Sequence, residues 1–353
     1  MNVSDSDRMR LLITTQAVDQ RDPVLGFFHR WLEVFAVQTE SVEVICLREG
    51  EHALPANVRV HSLGKERGAV GSATYAWRLL RLAWRLRGDY DAVFVHMNPE
   101  YFVVAGGLWK LLGKPAALWY THKSVDLKLR IAVFWTSVVF SASRESFRLP
   151  TKKLQVLGHG IDLAQFAPQT REPTPDGALR ILTAGRISAT KRTREMLDAL
   201  DVLNANGVPF TFTVAGEPAT EADRAYEEEL KRAIAGRPYA ARVTLLGPVA
   251  HADMPRLLAR HDVFLNLSAT GSMDKAVLEP LAAGVPAVTS NEAFRDLLAP
   301  SGLFVSSIEP ETVAHALEAA RTVDIAPAGA YVRAHYALDR TIAKIIEELG
   351  SRV

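Results

Sequence analysis

DVFLNLSATGSMDKAVLEPLAAGVPAV, residues 262–288, carries the pattern on which the fold turns. DVFLNLS reads as a buried strand ending at Ser268, a loop of small residues follows, and a helix is expected from near Lys275. PAVTS (286–290) reads as the next strand, so the stretch is one parallel βαβ unit. Backbone N–H groups at 272–275 would point at whatever lies above the strand end, which makes Ser272 and Met273 candidate anion-binding positions. Glu279, between Leu278 and Pro280, places a carboxylate one turn into a helix otherwise suited to a dry interior. It can accept hydrogen bonds from two vicinal hydroxyls of a ribose; capping of a neighbouring loop is the alternative.

The same alternation runs outward on both sides. Toward the N-terminus, MRLLITT (9–15), SVEVICL (41–47), VRVHSL (58–63), YDAVFVH (90–96), AALWYTH (116–122), SVVFSAS (137–143) and KLQVLGHG (153–160) read as strands. A Pro- and charge-rich break, FAPQTREPTPDGA (166–178), interrupts them and reads as a linker. The pattern restarts with LRILTAG (179–185), FTFTVAG (210–216) and RVTLLG (242–247), continues through the opening stretch to GLFVS (302–306), and ends in LDRTIAKIIEEL (338–349), which has helical spacing. The expected class is α/β, with a lobe at 1–165, the linker, a lobe at 179–337 and a C-terminal helix at 338–353. In such sheets ligands sit beyond the carboxyl ends of the strands, and two lobes can turn those ends toward a shared cleft.

Composition narrows the class without naming a reaction. At 353 residues the chain is long enough for two domains, and 48% hydrophobic with 23% charged residues is ordinary for a globular protein. A single cysteine, Cys46 in VEVICL, leaves no disulfide framework and no cysteine-based zinc site. Residues 1–170 hold 21 Lys+Arg against 16 Asp+Glu, and residues 171–353 hold 20 against 24, so the first half leans toward anionic partners. The polar start, MNVSDSDRMR, does not read as a signal peptide, and IAVFWTSVVF (131–140) is too short to span a bilayer. A cytoplasmic protein is expected.

TAGRISATKRTREM (183–196) places Gly185 at a strand end, with Arg186 and Lys191 flanking the start of a helix, an arrangement that suits a diphosphate. TVAGEP (213–218) and LLGPVAH (245–251) read as strand-to-glycine turns. In the first half, His96, His122 and His159 stand at or near strand ends, where an imidazole can meet a ligand. The loop TTQAVDQRDPVLGFFHRWL (14–32) offers Gly26 for a close approach, or simply enters a helix whose Phe27, Phe28 and Trp31 are core. In YAWRLLRLAWRLRGDYD (75–91), Arg78, Arg81 and Arg85 share a helical face beside Trp77, Leu80 and Trp84. That composition fits a helix lying on an anionic membrane surface; an ordinary surface helix with its Trp and Leu in the core is the other reading. DYD (89–91) opens a strand, and no metal or dinucleotide motif is present.

The GR…K pattern after a strand, followed by S-x-x-G-S and then L-E-P-L-A-A-G-x-P, resembles the GT4-type retaining glycosyltransferases with a GT-B fold, two Rossmann-like lobes facing a cleft. The resemblance implies a nucleotide-sugar donor on the second lobe, a carbohydrate or lipid-linked acceptor on the first, and neither a metal, a separate cofactor nor a nucleic-acid partner. Carried over by position, Arg186 and Lys191 would hold the donor diphosphate with Ser272 and Met273, Glu279 the ribose, and His122 would act catalytically; Gly26 would serve the acceptor side. The family commonly has a second glutamate eight positions before Glu279, where this chain has Gly271; Asp274 and Lys275 are the nearest charged residues and are taken as catalytic candidates. That departure also motivates the alternative of a non-catalytic glycosyltransferase-like partner subunit. If the 75–91 helix meets lipid, the protein sits peripherally on the inner membrane face.

Overall fold

The computed structural model describes residues 8–22, 24–168, 177–268 and 272–353. Contacts divide the chain between Gly160 and Ile161 and again between Ala337 and Leu338, giving two α/β units. Most of the 166–178 linker, residues 169–176, lies outside the described residues.

The first unit is a parallel sheet of β1 (Arg10–Val18), β2 (Ser41–Glu49), β3 (Val58–Ser62), β4 (Ala92–His96), β5 (Ala116–Trp119), β6 (Val138–Ser141) and β7 (Leu154–Val156), in the order β3-β2-β1-β4-β5-β6-β7. Unbroken apolar runs such as Leu11–Ile13 and Val93–Val95 are buried because helices cover both faces. Helix Phe27–Gln38 lies on one face, and helices Ser72–Arg85, Glu100–Leu111 and Leu127–Trp135 lie on the other.

The C-terminal helix, Leu338–Gly350, joins this unit even though it follows the second unit in the chain. Leu338, Ile342, Ile345 and Leu349 form its apolar stripe and are buried with Phe28, Trp31 and Phe35. Helix Phe27–Gln38 is tied to it by Gln38 Nε2, which donates to the Asp339 carbonyl at 3.1 Å.

The second unit holds β8 (Leu179–Ala184), β9 (Phe210–Ala215), β10 (Val243–Gly247), β11 (Val263–Asn266) and β12 (Ala287–Thr289), ordered β10-β9-β8-β11-β12 and all parallel. GLFVS does not form the further strand read from sequence. Phe304 makes only an isolated bridge to Thr289, while Leu303 and Val305 turn into the core as a packed loop.

In each unit the strand order reverses between its first strand and a later one, β1 with β4 and β8 with β11. Both pairs are clamped at their starts in the same way. Arg10 on β1 meets Asp91, the residue before β4, through its backbone N–H (3.0 Å) and Nη2 (2.7 Å). Arg180 on β8 meets Asp262, the residue before β11, at 2.9 and 2.7 Å. The Arg10 hydrogen bond holds the Asp91 carboxyl below its ordinary value, although burial opposes this. Asp91 of the DYD sequence is thus a structural clamp. In sheets of this kind ligands meet the opposite, carboxyl ends of such strand pairs. Among the described residues no helix is long and apolar enough to cross a membrane.

Candidate functional site

The second unit's site is built where β8 and β11 diverge. Gly185 (φ 134°) directly follows β8, and Gly216 (φ 146°) directly follows β9 beside it. A Cβ on Gly216 would stand 1.9 Å from the Gly185 carbonyl oxygen, so only glycine lets these two turns lie against each other. Gly216 N–H in turn donates to the Gly247 carbonyl at 2.7 Å, so three glycine turns form one backbone floor.

Arg186 leaves that floor half-exposed, with Asp223 3.8 Å away. Lys191 stands just ahead of the following α-helix, flanking its start. It closes a 3₁₀ turn, Ala189–Lys191; Arg192 then takes a left-handed φ of 57°, and the helix runs from Thr193 to Ala205. The turn sends the Lys191 side chain back over Gly185, and its Nζ reaches Asp274 Oδ2 at 2.8 Å.

Asp274 caps the helix Lys275–Ala282: Oδ1 accepts from Ala276 N–H at 3.1 Å. Its Oδ2 also accepts from Asn266 Nδ2 at 3.2 Å. Burial resists the charge on Asp274, but Lys191, Ala276 and Asn266 outweigh it and hold the carboxyl below its ordinary value. The two residues read separately, one as a catalytic group and one as a phosphate cation, are therefore one ion pair. Asn291 Nδ2 donates to the Ser272 carbonyl at 2.7 Å, which fixes the chain before the cap, and Met273 is buried. Gly271 lies outside the described residues.

Glu279 is only 7% exposed and does face a polar partner. Its Oε1 lies 2.9 Å from Nε2 of His251, which opens the 3₁₀ turn after β10. Gln165 Nε2 donates to the His251 carbonyl at 2.8 Å, and the Phe166 ring packs edge-on to the imidazole. Lys275, one turn before Glu279, is lowered in pKa by burial, against the pull of Glu279 and Asp162. Lys191, Asp274, Lys275, Glu279 and His251 are thereby drawn to the carboxyl end of one sheet. Sequence reading treated LLGPVAH as a turn and missed His251; its place four residues beyond the glycine that ends β10 was the available signal. Asn266 and Asn291, also missed, are buried amides just after or within apolar strands.

The first-unit candidates are arranged differently. His96 ends β4 and is buried, with Nδ1 3.1 Å from Thr15 Oγ1 and its ring stacked on Phe28 at 3.9 Å. His122, preferred from sequence, stands three residues beyond the end of β5, exposed, with Nδ1 accepting from Ser124 N–H at 3.1 Å. His159 packs near Trp119. Gly26 has an ordinary right-handed φ of −54°. The close approach it permits is to its own loop, since a Cβ there would stand 2.6 Å from the Asp22 carbonyl oxygen. The helix entry reading holds, with Phe28 and Trp31 in the core. On helix Ser72–Arg85, Leu79 and Ala83 face inward, whereas Trp77 and Trp84 are 59% and 50% exposed. Arg78 bonds the Leu63 carbonyl, leaving Arg81 and Arg85 on the open side.

Residues 178–321 match the family described as glycosyl transferases group 1. A glycogen synthase of Mycobacterium tuberculosis is 30% identical over 189 residues, 53% of this chain and 44% of that protein. A GDP-mannose-dependent alpha-(1-6)-phosphatidylinositol dimannoside mannosyltransferase from the same species is 30% identical over 205 residues, 53% of this chain and 50% of that one. The chain thus spans about half the length of the curated relatives it matches. In fold, Anabaena HepE, solved in complex with UDP and glucose, superposes with a TM-score of 0.74 at 17% identity, over 97% of this chain and all of that one. Across its second unit the chain is thus similar in sequence to the glycosyl transferases group 1, and throughout its length its two α/β units have the GT-B fold.

Proposed function

We propose that the chain transfers a hexose from a nucleoside diphosphate sugar to an acceptor hydroxyl, with retention at the anomeric carbon and without a metal. The observation that carries this reading is the group at the end of β8 and β11: Lys191 beside the capped start of helix Lys275–Ala282, with Glu279 one turn further in. As the anomeric C–O bond to the diphosphate breaks, negative charge collects on the departing phosphate oxygen. Lys191, Arg186 and the helix amide N–H groups supply opposing positive charge. The acceptor oxygen bonds to the anomeric carbon from the same face, and its proton passes to the departing phosphate. Glu279 holds the ribose hydroxyls, and His251 holds Glu279. HepE, by its description, binds UDP and glucose, and the mannosyltransferase relative is named for a GDP-sugar, so both bases belong in the test.

A lipid-linked acceptor, met at the cytoplasmic face of a membrane, is part of the same reading. Its support is the open face of helix Ser72–Arg85: exposed Trp77, Leu80 and Trp84 interleaved with Arg81 and Arg85, in a stretch from Arg67 to Gly88 that has no acidic residue. The reading is tested by incubating the protein with UDP-, GDP- and ADP-sugars, with and without lipid-linked and carbohydrate acceptors, and following free nucleotide. Acceptor-dependent release supports transfer. Nucleoside diphosphate binding with no donor consumed under any condition favours the non-catalytic partner reading, and no binding at all removes both.

A further inference from the structure

The ion pair between Lys191 and Asp274 has an asymmetry that bears on how the site handles anions. Asp274 cannot swing away: Oδ1 is held by Ala276 N–H at 3.1 Å and Oδ2 by Asn266 Nδ2 at 3.2 Å, both on the β11 side. Asn266 is itself buried and fixed, its Oδ1 accepting from Ser268 N–H at 3.2 Å. Lys191, by contrast, reaches the carboxylate at the tip of a flexible four-carbon stem laid over Gly185. An anion arriving at Lys191 therefore meets a cation whose charge is already offset by a fixed neighbour.

We infer that Asp274 is a positioning residue and a built-in counter-anion: it holds Lys191 in place and at the same time weakens the site's grip on the nucleoside diphosphate product. This rests on the donor reading given above. The chemistry makes the effect selective. A nucleoside diphosphate sugar carries about two negative charges at neutral pH and the freed nucleoside diphosphate about three, since a terminal phosphate has a second ionisation near pH 6. A fixed carboxylate a few ångströms away repels the more highly charged product more strongly than the donor. Product departure limits turnover in many enzymes, and this pair lowers that barrier without giving up the cation.

The test compares Asp274→Asn with wild type, alone and with Lys191→Met. Asparagine is an equally good helix cap and keeps an oxygen for Ala276 and the same shape, while its Nδ2 faces Asn266 Nδ2 and Lys191 Nζ, so those two hydrogen bonds are lost together with the charge. Binding of UDP, UDP-glucose, GDP and GDP-mannose is measured by calorimetry on protein shown to be folded by its melting curve. The expected result is UDP or GDP binding tightened about tenfold in Asp274→Asn and sugar-nucleotide binding changed about threefold or less, with the gain absent in the Lys191→Met background. A merely structural role predicts the opposite sign, weaker binding of every ligand. Weaker nucleoside diphosphate binding in folded Asp274→Asn, or equal tightening with and without Lys191, overturns the inference alone. Failure of wild type to bind any of the four ligands overturns the donor reading and this inference with it.

Discussion

Glu279 and His251, 28 residues apart in sequence, meet at 2.9 Å between Oε1 and Nε2 at the carboxyl end of the second sheet. One carboxylate oxygen is thus oriented by a ring packed against Phe166, on a residue whose backbone carbonyl accepts from Gln165. Glu279→Gln is expected to weaken nucleoside diphosphate binding by about 2 kcal/mol, the size of a charge-assisted hydrogen bond. Binding of inorganic pyrophosphate should hardly change, because it has no ribose. His251→Ala should give a smaller loss in the same direction. Calorimetric titration with both ligands checks this, and equal losses for pyrophosphate and nucleotide would remove the ribose role.

Gly216→Ala should be among the most damaging single changes in the second unit. The added methyl meets the Gly185 carbonyl at 1.9 Å, and the φ of 146° is one that alanine rarely adopts. A loss of roughly 2–4 kcal/mol is expected, from backbone strain and a displaced neighbouring turn. Chemical denaturation measures it; Gly207→Ala, also at positive φ but with nothing near its Cβ, is the control and should cost less.

The second unit should lose stability on mild acidification through His261. This residue is buried, with Nδ1 2.7 Å from the Leu257 carbonyl and Nε2 3.0 Å from Thr213 Oγ1. Burial lowers its pKa, only partly countered by the Leu257 carbonyl. The unfolded chain therefore takes up the proton first as pH falls. The stabilisation is complete above the ordinary histidine value of about 6.5 and is lost progressively below it. Melting temperatures between pH 7.5 and 5.5 should fall in wild type and fall less steeply in His261→Gln. An unchanged slope in that variant assigns the pH dependence elsewhere.

Removing the exposed rings of helix Ser72–Arg85 should separate lipid binding from nucleotide binding. Trp77→Ala with Trp84→Ala is expected to reduce flotation with phosphatidylglycerol vesicles severalfold, and Arg81→Glu with Arg85→Glu to abolish it. Neither pair should alter nucleoside diphosphate affinity or cost much more than 0.5 kcal/mol of stability, since these side chains project into solvent. Wild-type protein that ignores anionic vesicles defeats the membrane reading outright.

Much of the fold was legible because the buried strands announce themselves as apolar runs, several of them closed by Gly, Ser or His. LRILTAG and FTFTVAG become β8 and β9 with ends that agree within a residue. GLFVS misled because an apolar run bounded by turns describes a packed loop as well as a strand. At the site, Glu279 was visible as a carboxylate out of place. His251 was not, since a histidine after a glycine turn is unremarkable until the fold brings it to Glu279. The Lys191–Asp274 pair was hidden for another reason. Each side chain was legible, but a separation of 83 residues gives no sequence signal that one neutralises the other. Gly26 shows the converse, a glycine whose need is met entirely within its own loop.

The C-terminal helix sets an order of events during synthesis. The ribosome delivers the first unit's sheet early, yet Leu338, Ile342, Ile345 and Leu349, which complete the layer over Phe28, Trp31 and Phe35, emerge only after the entire second unit. Until then the earlier-made half carries an open apolar seam, while the later-made half already has all of its own strands. The unit that begins first is the one that closes last, and the nascent chain must keep that seam covered or soluble through the translation of 177 intervening residues, Ile161–Ala337.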